Sequence, residues 1–479
     1  MANSFLFYDL ETSGINPRDA RIMQFAAQRT DLNLKPVGNP FNYHIILTPD
    51  VLPEPQAILV TGITPQETIA DGISEADFLR IFHEDIATPG TIFTGFNSVR
   101  FDDEFMRFLH YRNFYDAYEW SWQDKRSRWD MLDVVRMTRA LRPDGITWPF
   151  APDGSASNRL ELLTNVNNLD HNNAHDALSD VRATIAVAAL IREKQPKLFD
   201  YLCDIRDKRS VAKIVEAGDP FVYTSGRYAT ETEKTTVVTR LSAVSAQAGA
   251  SWVFDLRYNP DELLEKSSDD IAKALTLRHD ERAFHVPIKT LKYNRCPAIA
   301  PLGVLHAEGQ ERLNLNITDL QKRHSQVKAQ AQKLSALMDE AMEKVTSRRQ
   351  TSLSTDTIEV DSQLYDGFFG DSDKTKMRLV RNLDPSELSP AEVQFDDSRL
   401  NALMPLYKAR NYPETLTSEE RQEWEELCRH RLTVGGEKSR LQRFVKSLHT
   451  LAGETSLSAE HQYLLEELRL YAESLVHID

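Results

Sequence analysis

The chain has 479 residues, with 57 Lys or Arg against 72 Asp or Glu and a formal net charge of −15. This length predicts about three domains with ample buried core, and the composition of 41% hydrophobic and 27% charged residues excludes a disordered chain. No apolar run is long enough for a membrane helix, and the N-terminus lacks the basic region of a signal peptide. The three cysteines, Cys203, Cys296 and Cys428, are widely spaced. This spacing excludes a metal site built on cysteines and favours a reducing cytoplasm.

Strand-like and helix-like segments alternate in the first third of the chain. The expected strands, which are apolar or rich in β-branched and aromatic residues, are Ser4–Leu10, Arg21–Thr30, Asn42–Thr48 and Thr91–Phe96. The expected helices are Ser74–Ile86 (with Ser74 as its N-cap), Phe101–His110 and Ala177–Glu193. This alternation indicates an α/β domain, which we expect to cover residues 1–197.

The middle third of the chain has short β-like runs separated by turn signals. These runs are Phe221–Val222, Thr235–Val238, Ser251–Leu256 and Phe284–Ile288. They predict a β-rich domain over residues 198–352, in which a long helix at Asp319–Val345 precedes a polar linker at Thr351–Thr357. The global acidity argues against a nucleic-acid partner, but residues 201–350 carry a net charge of +3, and a basic groove or bound metal ions can outweigh an acidic average.

The last third of the chain is helical, and we expect a third domain over residues 353–479. Its predicted helices are Ser398–Met404, Ser418–Arg431, Glu437–His449 and Ser458–Val476. We expect Pro405 to end the first of them, because proline lacks the backbone N–H and clashes with the preceding turn.

Two acidic residues, Asp9 and Glu11, lie at the end of the first predicted strand. Residues two apart on a strand point to the same face, so their carboxylates repel each other unless a divalent cation lies between them. Oxygen-only ligands select Mg²⁺ or Mn²⁺ over softer metals. Taken alone, however, an Asp-x-Glu pattern is more often a solvated strand end.

A second acidic pattern follows the strand Thr91–Phe96, where Asn97 is separated by three residues from a Phe-Asp pair ending at Asp102. A strand-to-helix junction places Asp102 at the sheet edge where ligands bind in open α/β folds. The ordinary alternative is an acid favoured by the dipole of a helix N-terminus. Asp103 and Glu104 follow directly, but the spacing from Asn97 selects Asp102.

A third pattern, His175 followed five residues later by Asp180, opens the Ala-rich helix. Both side chains face the sheet if the helix starts near Ala177. The alternative is that Asp176 caps this helix and leaves His175 in a loop. His171 is a second histidine nearby, but only His175 lies five residues before Asp180.

The three patterns, in this order and spacing, resemble the DnaQ-like (DEDD) 3′→5′ exonuclease superfamily, His subtype, on a ribonuclease-H-like fold. In that family four carboxylates hold two metal ions and a histidine activates water. The resemblance implies that Asp9, Glu11, Asp102 and Asp180 are metal ligands and that His175 is the general base. This agrees with phosphodiester hydrolysis, which needs an activated water and neutralised phosphoryl charge.

The resemblance narrows to the bacterial exodeoxyribonuclease I family, because matching segments occur along the whole chain. These segments are Phe5–Gly14, Thr61–Glu67, Asn97–Glu104, Tyr111–Asp116, Trp120–Trp122, Ser127–Asp133, Ala140–Trp148, Asn173–Asp180, Lys292–Pro297, Gln363–Phe369 and Lys408–Pro413. The resemblance implies an exonuclease domain with a mixed sheet, an SH3-like β-rich domain and a C-terminal α-helical domain. It also implies an enzyme that degrades single-stranded DNA processively from the 3′ end with two Mg²⁺ ions and serves DNA repair and recombination. The expected protein is a cytoplasmic monomer that binds the acidic C-terminal tail of single-stranded-DNA-binding protein.

Aromatic and arginine side chains alternate between Phe101 and Trp148, a composition typical of surfaces that stack unpaired bases, although many of these rings belong to the core if the segment is buried. The resemblance favours the following residues as DNA contacts: Arg107, Tyr118, Trp122, Arg136, Asn158, Arg159, Lys292 and Arg295. Among them, Arg159 is the one expected to hold the 3′-terminal nucleotide.

Two other functions stay open at this point. An RNA exonuclease would use the same chemistry, because discrimination between RNA and DNA depends on a contact to the 2′-position. A non-catalytic single-strand-binding scaffold on a decayed exonuclease fold is the other alternative. All five catalytic positions are filled, which disfavours the scaffold.

Overall fold

The structure of the protein is a computed structural model that describes residues 3–169, 176–278, 281–352, 359–388, 393–454 and 457–476. The chain packs into two compact units. The first unit contains Met1–Ser127, His171–Arg182 and Thr357–Asp479, and the second contains Arg128–Asp170 and Ala183–Asp356. The N-terminal and C-terminal thirds of the chain therefore fold together.

Within the described ranges, the strands are β1 (Ser4–Thr12), β2 (Ile22–Thr30), β3 (Phe41–His44), β4 (Thr91–Gly95), β5 (Ser127–Asp130), β6 (Phe221–Thr224), β7 (Thr235–Ala243), β8 (Ala250–Asp255), β9 (Ile288–Lys292) and β10 (Ala298–Pro301). The α-helices of the same ranges are α1 (Pro55–Thr61), α2 (Pro65–Asp71), α3 (Glu75–Ile81), α4 (Asp102–Arg112), α5 (Met131–Leu141), α6 (Leu160–Val166), α7 (Ala177–Lys194), α8 (Pro196–Asp204), α9 (Lys208–Glu216), α10 (Pro260–Leu264), α11 (Ser268–Thr276), α12 (Ala307–Arg312), α13 (Ile317–Ser352), α14 (Asp371–Asn382), α15 (Ser398–Asn411), α16 (Ser418–Thr433), α17 (Arg440–Ala452) and α18 (Ala459–Leu475). None of these helices is long and apolar enough to cross a lipid bilayer.

The sheet of the first unit is mixed, with β1 at its centre. Strand β1 pairs antiparallel with β2 and parallel with β4, and β3 pairs with the outer edge of β2. The pairing with β4 covers residues 4–7, whereas the pairing with β2 continues to the end of β1. Backbone hydrogen bonds to β2 therefore hold the end of β1 in extended form.

Aromatic side chains fill the core beside this sheet. Phe25 packs on Phe78 with ring centroids 4.9 Å apart, and Phe93 packs on Trp120 at 5.0 Å. Helix α4 contributes Phe105, which is also fully buried in this cluster. These rings attach the sheet to the helices that follow β3 and β4.

The C-terminal helices complete the first unit by sharing cores with its N-terminal part. Phe114, which follows α4, packs against Phe395 and Tyr407 at centroid distances of 5.4 and 5.1 Å. A second shared cluster joins β2 and α1 to α17 and α18. The C-terminal helices therefore bury apolar surface that the α/β part would otherwise expose to water.

The prediction that Pro405 ends a helix is wrong, because α15 continues through it to Asn411. The residues on either side, Met404 and Leu406, are buried in the core shared with Phe114. Tertiary packing of this helix thus outweighs the one backbone hydrogen bond that proline cannot make.

Five buried charged residues from both ends of the chain form a network in the first unit, which we call the Asp361 network; its members are Arg21, Asp50, Asp361, Arg410 and Arg431. Arg410 donates to both oxygens of Asp361 at 2.9 and 2.7 Å, and Arg431 bridges Asp361 and Asp50 at 2.9 and 2.7 Å. Burial raises the pKa of Asp361, but Arg410 and Arg21 outweigh burial and hold this pKa well below its usual value. Both aspartates are therefore ionised.

The second unit is built on an antiparallel sheet with the strand order β10-β6-β7-β8-β9. Helix α13 packs on this sheet, and Trp252 Nε1 of β8 donates to Asp339 Oδ1 of α13 at 2.8 Å. The β-rich middle region was predicted, but β10 was not, and the strand that corresponds to β9 was placed too early, at Phe284–Ile288. The strand begins only at Ile288, since Pro287 lacks the N–H that a ladder position requires.

Other boundaries differ by smaller amounts. The helix predicted at Ser74–Ile86 is α3 followed by a π-helical turn at Phe82–Ile86, and Ser74 is its N-cap as predicted. The linker predicted at Thr351–Thr357 begins inside α13, whose last residue is Ser352, and the rest of that segment lies outside the described residues.

The Asp361 network predicts a large effect of a single substitution. In Asp361→Ala, three buried guanidinium groups lose a carboxylate, so we expect the free energy of unfolding at neutral pH to fall by about 3–5 kcal/mol. Because the pKa of Asp361 is depressed in the folded state, this contribution is present above the unfolded-state value of about 4 and is lost as pH falls below it. Urea denaturation at several pH values measures both effects.

Asp396→Ala is the matched control for this experiment. The Asp396 side chain is 69% exposed and contacts Lys376 at 3.0 Å, so its loss should cost less than about 1 kcal/mol. Equal destabilisation by the two substitutions would contradict the assignment of a structural role to the buried network.

Candidate active site

The end of β1 places two carboxylates on one face of the first unit's sheet. Asp9 lies opposite Ala26 of β2 and Glu11 opposite Gln24, and a register shift follows directly after Glu11. Asp9 is half-buried and Glu11 is buried. The same-face placement expected from the i, i+2 spacing is therefore observed.

The junction between β4 and α4 brings Asp102 to the same strand. A Cβ at Gly95 would lie 2.6 Å from Ser98 Cβ and 2.9 Å from the Tyr8 carbonyl oxygen, so only glycine allows this close approach to β1. Asn97 then adopts a left-handed φ of 69°, and α4 begins at Asp102. The backbone N–H of Leu10 donates to Asp102 Oδ1 at 3.2 Å, which fixes this carboxylate between Asp9 and Glu11 along the chain.

The first turn of α7 supplies the next carboxylate. The Asp176 side chain accepts a hydrogen bond from Ser179 N at 3.0 Å, and the Asp180 N–H donates to the Asp176 carbonyl at 3.0 Å. This capping arrangement starts the helix at Ala177, as predicted, and sets the position of Asp180. His175, the predicted general base, lies outside the described residues.

Three of the four predicted metal ligands meet at one point. One carboxylate oxygen each from Asp9, Glu11 and Asp180 lies within 4.8 Å of the others. The charge of Asp102 acts on both Asp9 and Glu11, so the fourth predicted ligand lies beside the cluster.

The electrostatics of this cluster favour protons or a cation. Burial raises the pKa of Asp9 well above its usual value, and the charges of Asp102 and Glu11 raise it further. Burial followed by the charges of Asp180 and Asp102 raises the pKa of Glu11 from 4.5 to about 8. A donor set made only of oxygens that repel one another fits a hard divalent cation such as Mg²⁺ or Mn²⁺.

The neighbouring acids have other partners. Tyr8 donates its hydroxyl proton to Asp103 Oδ1 at 2.6 Å, which holds Asp103 in the core. Glu104 accepts from Arg107 at 2.6 Å. Asp176, interpreted from sequence only as a helix cap, caps α7 and also adds negative charge at Asp9 and Glu11. The sequence signal that could have placed Asp176 near the carboxylates was its position one residue before the helix that carries Asp180.

The predicted DNA contacts of the first unit differ in exposure. Arg107 is buried, and its guanidinium lies 5.5 Å from the centre of the half-buried Tyr118 ring. Trp122 is 60% exposed. Of these three residues, Trp122 is therefore the one with a largely exposed ring, whereas Arg107 packs on the Tyr118 ring and is itself buried.

The remaining predicted contacts lie in the second unit. Arg136 of α5 donates to Asp133 at 2.8 Å. Asn158 Oδ1 is buried and makes no hydrogen bond among the described residues. Arg159 precedes α6 with a side chain that is 69% exposed and pairs with Glu161. Lys292 ends β9, and Arg295 lies in the turn that follows.

Comparison with protein families gives three matches that together span most of the chain. Residues 6–188 match a family described as exonuclease, residues 206–344 the exonuclease I SH3-like domain, and residues 358–475 the exonuclease I C-terminal domain. The fold class predicted from sequence, an α/β exonuclease domain followed by an SH3-like and a helical domain, is therefore confirmed.

Known relatives cover the chain from end to end. The chain is 38% identical to exodeoxyribonuclease I of Escherichia coli K12 over 99% of its own length and 98% of the relative's. It is similar to the structure of exonuclease I from Methylocaldum szegediense with a TM-score of 0.91 and 40% identity, covering 99% of this chain and 100% of that one. It is equally similar, at 0.91 and 38% identity over the full length of both chains, to the zinc-bound E. coli exonuclease I–ssDNA complex. A structure of SSB with exonuclease I matches at 0.88 and 37% identity, covering 99% and 100%.

The raised carboxylate pKa values predict how a divalent cation changes stability. Because the pKa of Glu11 is raised, its contribution to metal-free stability is present below the unfolded-state value of 4.5 and is lost as pH rises through about 8. A cation binds the ionised carboxylates and reverses this loss. We expect the rise in Tm on replacing EDTA with Mg²⁺ to grow from roughly pH 6 to pH 9 in scanning fluorimetry.

Glu11→Gln is the control variant for this titration. Without the charge, the metal-free protein should be more stable than the wild type at alkaline pH and respond less to Mg²⁺. A Mg²⁺ effect independent of pH, or an unchanged response of Glu11→Gln, would show that the cation binds elsewhere.

Proposed function

The chain belongs to the exodeoxyribonuclease I family, and from this premise we propose that it is a processive Mg²⁺-dependent 3′→5′ exonuclease that degrades single-stranded DNA to 5′-mononucleotides in DNA repair and recombination. The observation that carries the proposal is the meeting of the Asp9, Glu11 and Asp180 carboxylates within 4.8 Å. The E. coli relative bound to single-stranded DNA supports the substrate class.

In this proposal Asp9, Glu11, Asp102 and Asp180 hold two Mg²⁺ ions. When bound, such ions activate water, neutralise phosphoryl charge and stabilise the leaving 3′-oxygen. The carboxylates supply the binding: Asp9 and Glu11 are fixed by the paired strand β1, and Asp102 and Asp180 by the first turns of α4 and α7. The zinc-bound relative supports divalent metal binding in this family, and the oxygen-only donor set favours Mg²⁺.

His175 is the proposed general base. A ring nitrogen of this histidine takes the proton of the attacking water, which an imidazole with an unperturbed pKa of about 6.5 does near neutral pH. Its place in sequence, directly before the Asp176 cap of α7 and five residues before Asp180, supports this role.

The DNA contacts of the proposal are those named from sequence. In the first unit Tyr118 and Trp122 offer ring faces to bases, and Arg107 supports Tyr118. In the second unit the exposed Arg159 holds the 3′-terminal nucleotide, and Arg136, Asn158, Lys292 and Arg295 contact the strand. The buried, unsatisfied Asn158 Oδ1 supports a polar ligand there, since buried acceptors normally have a donor.

The same proposal covers partners and organisation. We propose that basic residues bind the C-terminal tail of the single-stranded-DNA-binding protein, and the structure of SSB with exonuclease I supports this choice of partner. We further propose a cytoplasmic monomer with domain boundaries at residues 1–197, 198–352 and 353–479. The family matches at 6–188, 206–344 and 358–475 support this division.

One oligonucleotide sequence in four forms tests the substrate. We expect Mg²⁺-dependent degradation of 5′-labelled single-stranded DNA, and sparing of its 3′-blocked form, its duplex and its RNA version. EDTA should stop cleavage. Preferential loss of the RNA would move the function to RNA processing, and binding without cleavage of any form would favour a scaffold.

Substitutions separate the proposed ligands from their neighbours. Asp9→Ala and Asp180→Ala should each lower kcat on single-stranded DNA by at least about a thousandfold, equivalent to about 4 kcal/mol, while the circular-dichroism spectrum is unchanged. Asp102→Asn should do the same. Asp103→Asn is the matched control, because it weakens the hydrogen bond from Tyr8 and lowers Tm but should retain cleavage. Loss of cleavage in Asp103→Asn with retention in Asp102→Asn would reverse this assignment.

A further inference from the structure

A groove with a volume of about 1130 Å³ lies between helices of the first unit. Residues 467–475 of α18 contribute to its lining, as do Ile69 of α2, Trp424 of α16 and Glu414, which follows α15. The groove is open to solvent, since Ile69 and Leu470 in its lining are 53% and 45% exposed. No ligand of the carboxylate cluster is among the described residues that line it, so the groove is separate from the candidate active site.

Helix α18 carries apolar side chains on two faces. One face, which includes Leu468, is buried in the core shared with β2 and α1. The other carries Tyr463, Glu467 and Leu470 at the spacing i, i+4 and i+7, which places these three side chains on one side of the helix. Single exposed apolar residues are common on protein surfaces, but here Leu470 of α18 and Ile69 of α2 line the same groove. A shared apolar surface of this kind is typical of an interaction site.

The charges in the lining of the groove are mainly negative. Asp77, Glu414 and Glu467 supply three carboxylates. Asp77 pairs with an exposed arginine of its own helix at 3.3 Å, whereas Glu414 and Glu467 make no ion pair within the described part of the chain. Arg410 is the one basic residue among the described lining residues, and its guanidinium is already paired with both aspartates of the Asp361 network. The groove therefore combines apolar surface with unbalanced negative charge.

The dimensions of the groove suit a helix better than a small molecule. Its volume exceeds the range of about 300–1,000 Å³ that is usual for small-molecule sites. Residues 467–475 of α18 extend for about 12 Å along the helix axis. This length matches the separation of about 10.5 Å between the residues i and i+7 of a docked helix. A second copy of the chain is disfavoured, because a symmetric contact would place the same carboxylates opposite each other.

We propose that this groove binds an amphipathic helix of a partner protein, whose apolar side chains enter the groove and whose Lys or Arg side chains lie opposite Glu414 and Glu467. On binding, Ile69 and Leu470 leave water together with the apolar face of the partner, which is the main source of affinity. The carboxylates select a basic partner and speed its association. This interaction surface is independent of the proposed nuclease function.

Fluorescein-labelled model peptides of leucine and lysine test the proposal on the full-length chain. In one peptide leucine recurs at the helical spacing i, i+3, i+4 and i+7, and in the other the same residues are shuffled so that no apolar face forms. Fluorescence anisotropy should give a Kd at least about tenfold lower for the patterned peptide. Equal Kd values would overturn the proposal, because a chain with a net charge of −15 attracts any cationic peptide.

Substitutions locate the binding site. Leu470→Lys places a charge in the apolar lining and should raise the Kd of the patterned peptide at least about tenfold. Leu32→Lys is the matched control, because Leu32 is 46% exposed, against 45% for Leu470, and does not line the groove. Both side chains are largely in solvent, so the circular-dichroism spectrum should be unchanged. Replacing Glu414 and Glu467 together by Gln should weaken binding about threefold or more at low ionic strength and flatten its salt dependence.

Two further results would contradict the assignment. If Leu470→Lys binds the patterned peptide as tightly as the wild type, the peptide binds elsewhere and the proposal is overturned. If sedimentation velocity shows wild-type dimers that Leu470→Lys does not form, the groove belongs to a second copy of the chain and not to a partner helix. Cleavage of single-stranded DNA by Leu470→Lys should equal that of the wild type, because the groove is separate from the carboxylate cluster.

Discussion

Repulsion between carboxylates at the end of β1 is the constraint on which the rest of the first unit depends. Asp9, Glu11 and Asp180 bring oxygens within 4.8 Å of one another in a partly buried place, which an isolated strand or helix would relieve by moving apart. Here β1 is paired with β2 through Glu11, the Leu10 N–H donates to Asp102, and α7 begins at the Asp176 cap, so the chain limits how far the acids can separate. The repulsion between these carboxylates lowers the stability of the metal-free fold, and the same arrangement places their oxygens where a cation can bind them.

The first unit contains a second buried group of charges that shows the opposite outcome. Asp50 and Asp361 are at least as buried as Glu11, yet their pKa values are lowered rather than raised, because Arg410 and its neighbours contact them directly. Carboxylates in the Asp361 network therefore stabilise the fold. For Asp9 and Glu11, by contrast, the neighbouring charges among the described residues are those of other acids, and they raise the pKa of both carboxyls. Burial alone does not distinguish the two roles, whereas the sign of the neighbouring charge does.

Local spacing and chain order made much of this predictable from sequence. The i, i+2 placement of Asp9 and Glu11 and the start of α7 at Ala177 follow from strand and helix geometry, and both are observed. The continuation of α15 through Pro405 was not predictable locally, since it depends on packing against Phe114, nearly three hundred residues earlier. The Asp361 network was missed for the same reason: Asp50 and Asp361 look like ordinary surface acids until the fold brings arginines to them.

Helix α4 explains why the C-terminal helices belong to the same unit as the carboxylate cluster. Its first residue, Asp102, reaches the end of β1, and Phe105 faces the core of the sheet. The other side of the same helix carries Phe108 and Tyr111 into the core shared with the C-terminal helices. A helix buried on two sides cannot shift without disturbing both cores, because protein interiors are closely packed. Packing of the C-terminal helices against α4 thus helps to hold the strand-to-helix junction at which Asp102 is placed. In this way residues near the end of the sequence help to fix the position of a carboxylate in the candidate active site.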